Sequence, residues 1–103
     1  MKEVTKDEFL VMQENGDNIM IDVWAEWCGP CKILKPMLND LEVPNNVKLV
    51  ALNFEENNEF VRTLNVRSLP TVLFFKGKTE IKRLIGLNQI DEYKKEILKL
   101  SEL

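Results

Sequence analysis

Runs of consecutive apolar residues along this chain predict the strands of a sheet. The run Ile19–Trp24 is interrupted only by Asp22, which predicts a central strand buried on both faces. The other predicted strands are a short edge strand over residues 1–4, then 47–52, 71–75 and, after a turn at Lys76-Gly77, 79–85. Gly86 marks a bend or a bulge where the last strand ends.

Apolar residues spaced three or four apart predict four helices. Thr5 and Glu8 form a capping box that opens the first, over about residues 6–14. The second follows Cys28, with apolar residues at 33, 34, 37, 38 and 41, and the third carries Phe60, Val61 and Leu64. Asn88 is predicted to cap the last helix, which buries Ile90, Tyr93, Ile97 and Leu100 and exposes Glu92, Lys94, Lys95, Glu96 and Lys99. This order predicts one α/β domain over residues 1–103, with helices on both faces of a mixed sheet.

Composition and charge narrow the classes of function. A chain of 103 residues that is 45% hydrophobic and 30% charged is typical of one soluble globular domain. The net charge of −3 argues against nucleic acid and anionic membranes as partners. No apolar stretch reaches the length of a membrane span, and the first residues lack the apolar core of a signal peptide. We therefore expect a cytoplasmic protein.

The two cysteines lie together in Trp27-Cys28-Gly29-Pro30-Cys31. In the cytoplasm a close pair is more often catalytic or metal-binding than structural. A zinc site needs four ligands, and two cysteines with no histidine supply only half of them. The remaining alternatives are a redox pair and two buried cysteines that pack as small apolar residues.

The residues around the pair favour a reactive thiolate at Cys28. This cysteine falls where a strand hands over to a helix, whose unpaired N–H groups and dipole favour an anion. Lys32 adds a positive charge in the first turn. Gly29 permits a tight turn, and Pro30 suits the first turn of a helix. We predict that Cys28 attacks a disulfide and that Cys31, held close by, resolves the mixed disulfide.

Asp22, Trp27 and Pro70 are further candidate residues. Burial of Asp22 in an apolar strand should raise its pKa, which suits exchange of a proton with Cys31; the alternative is a side chain that points to solvent. Trp27 precedes the nucleophile and should line the contact surface, unless it belongs to the core. Pro70 stands at the entrance of a strand, and the residues alone do not assign the isomer of its peptide bond.

Two segments resemble the hallmarks of the thioredoxin family, and the likeness spans essentially the whole chain. They are IDVWAEWCGPCK at 21–32 and SLPT at 68–71 followed by VLFFKGK. The resemblance implies the thioredoxin fold, a central mixed five-stranded sheet flanked by four helices. It also implies that Asp22 is the buried acid and that Pro70 is a cis-proline. The backbone of Leu69 would pair with an extended substrate. The supporting residues would be Trp27, Gly29, Pro30, Lys32 and Gly86.

The resemblance also implies a function and partners. The chain would be a general protein-disulfide reductase that binds no cofactor and receives electrons from an NADPH-dependent flavin enzyme similar to thioredoxin reductase. Its targets would be oxidised proteins such as ribonucleotide reductase or peroxiredoxins, and a monomer is the default expectation. Two rivals remain: an oxidase or isomerase, against which the Gly-Pro dipeptide counts, and a binding module in which the cysteines are dispensable.

The chain departs from the family pattern at three places. Ser68 stands where a glycine is usual, which should alter the substrate groove. Ala51 stands where a lysine often faces the buried acid, so we expect Asp22 to lack that cationic partner and to have a still higher pKa. The segment Glu42–Asn46 is short, which should trim the end of the second helix.

Overall fold

The sheet is organised around β2 (Asn18–Trp24), the strand predicted to be central. The structure is a computed structural model that describes all 103 residues. Five strands are arranged in the order β1-β3-β2-β4-β5. The other four are β1 (Lys2–Glu3), β3 (Val47–Asn53), β4 (Thr71–Lys76) and β5 (Thr79–Ile85). β1 and β3 run parallel to β2, whereas β4 is antiparallel to β2 and to β5, so the predicted mixed five-stranded sheet is confirmed.

Four helices cover the sheet. They are α1 (Lys6–Glu14), α2 (Gly29–Asn39), α3 (Asn58–Thr63) and α4 (Ile90–Ser101). The capping box predicted for α1 is present, because the Glu8 amide donates to Thr5 Oγ1 over 3.1 Å and the Thr5 amide donates to Glu8 Oε1 over 3.0 Å. The helices and strands therefore follow the order that the apolar pattern predicts.

The sheet separates two apolar cores, as alternation along its central strands requires. Ile19, Ile21 and Val23 of β2 pack on one face with residues of α1 and α3. Met20 packs on the other face with residues of α2 and α4. Asp22 follows Met20 by two residues, so both side chains point to the same face of the sheet. The carboxyl group of Asp22 therefore lies on the face that α2 covers, where the cysteines are.

Two predictions about α4 are wrong. The N-cap is Gln89, whose side chain makes no capping hydrogen bond, whereas the Asn88 side-chain amide donates to the carbonyls of Ile85 and Gly86. Glu96 is buried rather than solvated, because it follows Tyr93 and precedes Ile97 and Leu100 on the inner side of the helix. Its carboxylate lies 3.8 Å from the Lys99 ammonium, which compensates part of the cost of burial.

Gly86 forms the predicted bend, and the bulge lies elsewhere. Its φ of +75° is in the left-handed region that glycine adopts without strain, and its amide donates to the Pro70 carbonyl over 2.8 Å. The irregular register falls between Phe74 and Phe75, opposite residues 80–82. Gly86 thereby ties the end of β5 to the residue that precedes β4.

Candidate active site

Cys28 and Cys31 form a disulfide in the first turn of α2, with their Cα atoms 5.3 Å apart. Cys28 is the N-cap of the helix, and its Sγ accepts a hydrogen bond of 3.2 Å from the Cys31 amide. Gly29 and Pro30 occupy the first two helical positions, where the missing N–H of proline is no loss. Both cysteines are buried, and Cys28 retains the larger exposed fraction.

This placement favours a thiolate at Cys28 once the disulfide is reduced. The sulfur lies at the positive end of the α2 dipole, and an amide N–H already points at it. Lys32 follows in the same turn with an exposed side chain. Ala25 and the two cysteines form a small buried cluster that Trp24, Phe54 and Leu69 cover.

Asp22 is fully buried, and neither carboxylate oxygen has a hydrogen-bond partner. Burial raises the pKa of Asp22 to about 7, because a charged carboxylate is poorly solvated there. A solvent-directed side chain is thereby excluded. The group therefore holds or releases a proton near neutral pH, which is the property that proton exchange with a thiol requires.

Asp22 has Ala51 beside it on the neighbouring strand and so lacks a lysine at that position, but Lys35 of α2 supplies a different nearby cation. The Lys35 ammonium opposes the rise in the pKa of Asp22, and the Glu3 carboxylate reinforces it. Lys35 Nζ lies 2.7 Å from Glu3 Oε1 and 3.3 Å from the centroid of the Trp24 ring. Glu3, Ala51 and Asp22 are neighbours across three strands, so their side chains share the face that α2 covers.

Sequence reasoning missed the Lys35–Glu3 pair for a physical reason. The two residues are 32 positions apart, and their contact depends on the register of a two-residue edge strand. A usable signal existed in Lys35 itself, since it follows Cys31 by four residues and so lies on the same side of the helix.

The segment before β4 presents unused backbone groups beside the cysteines. The Leu69–Pro70 peptide bond is cis, as the resemblance implied. Thr71 Oγ1 donates to the Ser68 carbonyl over 2.7 Å and so fixes the turn. Neither the N–H nor the C=O of Leu69 takes part in an internal hydrogen bond, and its side chain packs on the cysteine cluster. An extended chain could therefore pair with Leu69 next to Cys28.

Two clefts lie near the cysteine pair. Cys31 and Lys35 line one, together with Trp24, Glu26, Lys32, Pro36 and Asn39. The second, which we call the arginine cleft, is lined by Trp27, Phe54, Arg62, Val66, Arg67, Ser68 and Leu69. Trp27 is 65% exposed and meets the Phe54 ring edge-on, so its side chain belongs to the surface rather than to the core.

No group of three or more metal-ligating side chains is placed to hold an ion. None of the helices combines the length and the apolar character that crossing a membrane requires.

Comparisons with known proteins agree with this site. The thioredoxin family model matches residues 1–99. A thioredoxin of Rickettsia prowazekii is 40% identical over 73 residues, which is 69% of this chain and 70% of that protein. The crystal structure of Malassezia sympodialis thioredoxin superposes with a TM-score of 0.87 at 25% identity, covering 98% of this chain and 90% of that one.

Two further similar proteins are described together with a second redox protein, a thioredoxin reductase in one case and a peroxiredoxin in the other. One is a bifunctional thioredoxin reductase/thioredoxin of Mycobacterium leprae, 34% identical over 87 residues, or 82% of this chain and 19% of that protein. The other is a chain from a study of thiol resolution in a yeast mitochondrial 1-Cys peroxiredoxin through the glutathione and thioredoxin systems. It superposes with a TM-score of 0.83 at 27% identity, covering 96% of this chain and 94% of that one.

A mixed sheet flanked by four helices, with a Cys-x-x-Cys disulfide at the first turn of α2, defines a protein-disulfide oxidoreductase. The family match extends over nearly the whole chain and includes the cysteine pair. This chain belongs to the thioredoxin family, and it catalyses dithiol–disulfide exchange through Cys28 and Cys31. Members of this family typically bind no cofactor.

Proposed function

We propose that this chain reduces protein disulfides with Cys28 as nucleophile, Cys31 as resolving thiol and Asp22 as proton acceptor. The observation that carries this assignment is the position of Cys28 as the N-cap of α2, with the Cys31 amide directed at its sulfur. That position stabilises a thiolate at Cys28, while the more buried Cys31 is shielded from solvent.

The first step is attack of the Cys28 thiolate on a target disulfide. The target S–S bond breaks, a mixed disulfide forms between Cys28 and one target sulfur, and the other target sulfur leaves as a thiolate that takes a proton from water. The target binds as an extended segment that pairs with the free backbone groups of Leu69 and contacts Trp27 and Pro70. Gly29, Pro30 and Lys32 shape the helix start, and Gly86 anchors Pro70.

The second step is attack of Cys31 on the sulfur of Cys28. Asp22 takes the proton of Cys31, the Cys28–Cys31 bond forms, and the second target sulfur leaves as a thiolate. The target has then gained two electrons, and the chain has lost two. Asp22→Asn should slow this step near neutral pH by about 100-fold, the usual contribution of general base catalysis, with little effect on the first step. Unchanged rates across pH in single-turnover kinetics would contradict the role of Asp22.

The proposed partners are an electron donor and oxidised target proteins. The Mycobacterium leprae protein unites a thioredoxin reductase with a thioredoxin, which supports such a reductase as the electron donor. That the donor uses NADPH and a flavin is part of the proposal by family resemblance. The yeast study supports a peroxiredoxin as one target. The family resemblance adds ribonucleotide reductase as a second proposed target. A monomeric state and a cytoplasmic location complete the proposal.

The reduction potential of the Cys28–Cys31 couple tests the direction of electron flow. It is measured by equilibration in a dithiol buffer, with Trp24 and Trp27 fluorescence as the readout. A value near the roughly −270 mV of thioredoxin supports a reductant, because each difference of about 30 mV represents about 1.4 kcal/mol for two electrons. A value toward the roughly −120 mV of a strong oxidant would favour the oxidase or isomerase.

Cys28→Ser distinguishes the reductase from a binding module. The variant should lose disulfide reduction in an insulin-reduction assay. A partner-dependent activity that survives the substitution would show that exchange is not the main role of the chain.

A further inference from the structure

The arginine cleft carries positive charge on a protein that is acidic overall. The chain has a net charge of −3, yet the two charged residues that line this cleft, Arg62 and Arg67, are both cationic. Both side chains are exposed, and neither forms an ion pair or a side-chain hydrogen bond within the protein. The third arginine, Arg83, is by contrast paired with Glu80.

The cleft lies where the proposed target segment would pass. Leu69 and Phe54 line it and also pack on the cysteine cluster, so its apolar wall adjoins the cluster that contains Cys28. Trp27 also lines the cleft, with its exposed ring edge-on against Phe54. The cleft therefore offers apolar contacts beside the cysteine cluster together with two unpaired guanidinium groups.

The spacing of Arg67 and Leu69 suggests where a complementary charge would stand. Arg67 precedes Leu69 by two residues, at the start of a bend over residues 68–70, and it lines the same cleft as Arg62 and Leu69. An extended target segment advances about 3.4 Å per residue, so residues two or three positions from the one paired with Leu69 span about 7–10 Å of this cleft. Guanidinium groups bind carboxylates in a fork geometry that ammonium groups do not offer.

We propose that the arginine cleft selects targets that carry Asp or Glu within about two or three residues of the reactive cysteine. This inference rests on the proposed function and adds the substrate class. The occupant is an extended acidic segment of an oxidised protein. Its carboxylate binds Arg62 and Arg67 while its backbone pairs with Leu69, which accelerates productive encounter with Cys28.

The test uses matched eight-residue peptides whose single cysteine is linked by a disulfide to 2-mercaptoethanol. One set carries Asp two or three residues before or after the cysteine, and the other sets carry Asn or Lys there. The rate of each peptide with this protein is divided by its rate with dithiothreitol, which removes the intrinsic effect of a nearby charge on the disulfide. At low salt the best Asp peptide should exceed its Asn counterpart in normalised kcat/KM by about three- to tenfold. The advantage should shrink as salt rises.

Variants that change the charge of the cleft test whether Arg62 and Arg67 cause the preference for Asp peptides. R62Q/R67Q should bring the ratio of Asp to Asn rates close to one, and R62E/R67E should favour the Lys peptide. Lys95→Gln removes one positive charge from an exposed position on α4, on the other face of the sheet, and should leave the ratio unchanged. Circular dichroism and thermal unfolding check that the variants fold.

The outcomes separate this inference from the proposed function. Reduction of the Asn peptides without any preference for Asp, or a preference that survives in R62Q/R67Q, would overturn the selection of acidic targets alone. Failure to reduce any of the peptides would overturn both proposals.

Discussion

At the scale of single residues, Asp22 imposes an energetic cost on the fold. Its carboxyl group is buried without a hydrogen bond, and burial raises its pKa to about 7. In the unfolded chain the pKa is about 3.9. The folded state thus binds a proton more tightly than the unfolded state, so stability falls as pH rises from about 4 to about 7.

Asp22→Asn should therefore stabilise the protein in a pH-dependent way. Each pH unit between the two pKa values contributes about 1.4 kcal/mol, so the gain at about pH 8 should reach up to about 4 kcal/mol and vanish near pH 4. Urea unfolding at several pH values measures it. Asp17→Asn, which alters a surface ion pair with Lys48, is the matched control and should give no such gain. An equal gain at both ends of this pH range would show that burial of charge is not the cause.

The Lys35–Glu3 pair should tune the proton affinity of Asp22 in opposite directions. Lys35→Met removes a nearby cation and should raise the pKa of Asp22, whereas Glu3→Gln removes a nearby anion and should lower it. Carbon-detected NMR titration of the Asp22 carboxyl group measures both shifts. Lys48→Met, at the other end of the neighbouring strands, should leave this pKa unchanged. Shifts in the same direction for both variants would contradict the assignment.

At the scale of elements, the turn between β4 and β5 packs tightly against the end of α1. The Gly77 amide donates to the Asp17 carbonyl over 2.8 Å, and a Cβ atom at Gly77 would lie 3.3 Å from Gly16 Cα and 3.4 Å from the Gln13 carbonyl oxygen. Gly77 also has a φ of +56°. The positive φ and the close backbone neighbours therefore both favour glycine at this position.

Gly77→Ala should destabilise the protein more than Gly16→Ala. Gly16 shares the positive φ, but a Cβ atom there would meet open space, so its alanine variant should cost only the strain of about 1–2 kcal/mol. The variant at Gly77 adds a backbone contact that cannot relax easily. Urea unfolding of both variants gives the comparison, and an equal loss of stability would mean that the contact contributes nothing.

Element by element, sequence patterns predicted what depends on local periodicity and missed what depends on packing. The burial of Asp22 followed from apolar neighbours on both parities of one strand. Glu96 was assigned to the solvated face with its charged neighbours, because helical periodicity does not show how deeply α4 sits on the sheet. The contact of Lys35 with Glu3 could not be predicted, because it depends on the register in which the edge strand β1 pairs with β3 in the folded protein.

At the scale of the whole molecule, stability should decrease from the centre of the sheet outward. β2 bonds to a strand on each side and is buried on both faces, whereas β1 has two exposed residues. Native-state hydrogen exchange should therefore find the slowest amides in β2 and fast exchange in β1. Exchange from β1 as slow as that from β2 would imply that the edge strand opens only on global unfolding.

The disulfide joins residues only three positions apart, and their Cα atoms already have helical proximity. Oxidation and reduction therefore act on a single turn at the start of α2. An electron donor and an oxidised target must therefore both contact this turn, because it is where the reduced and oxidised forms of the protein differ. The donor and the target consequently compete for one surface, and a partner that dissociates slowly after its reaction inhibits both half-reactions.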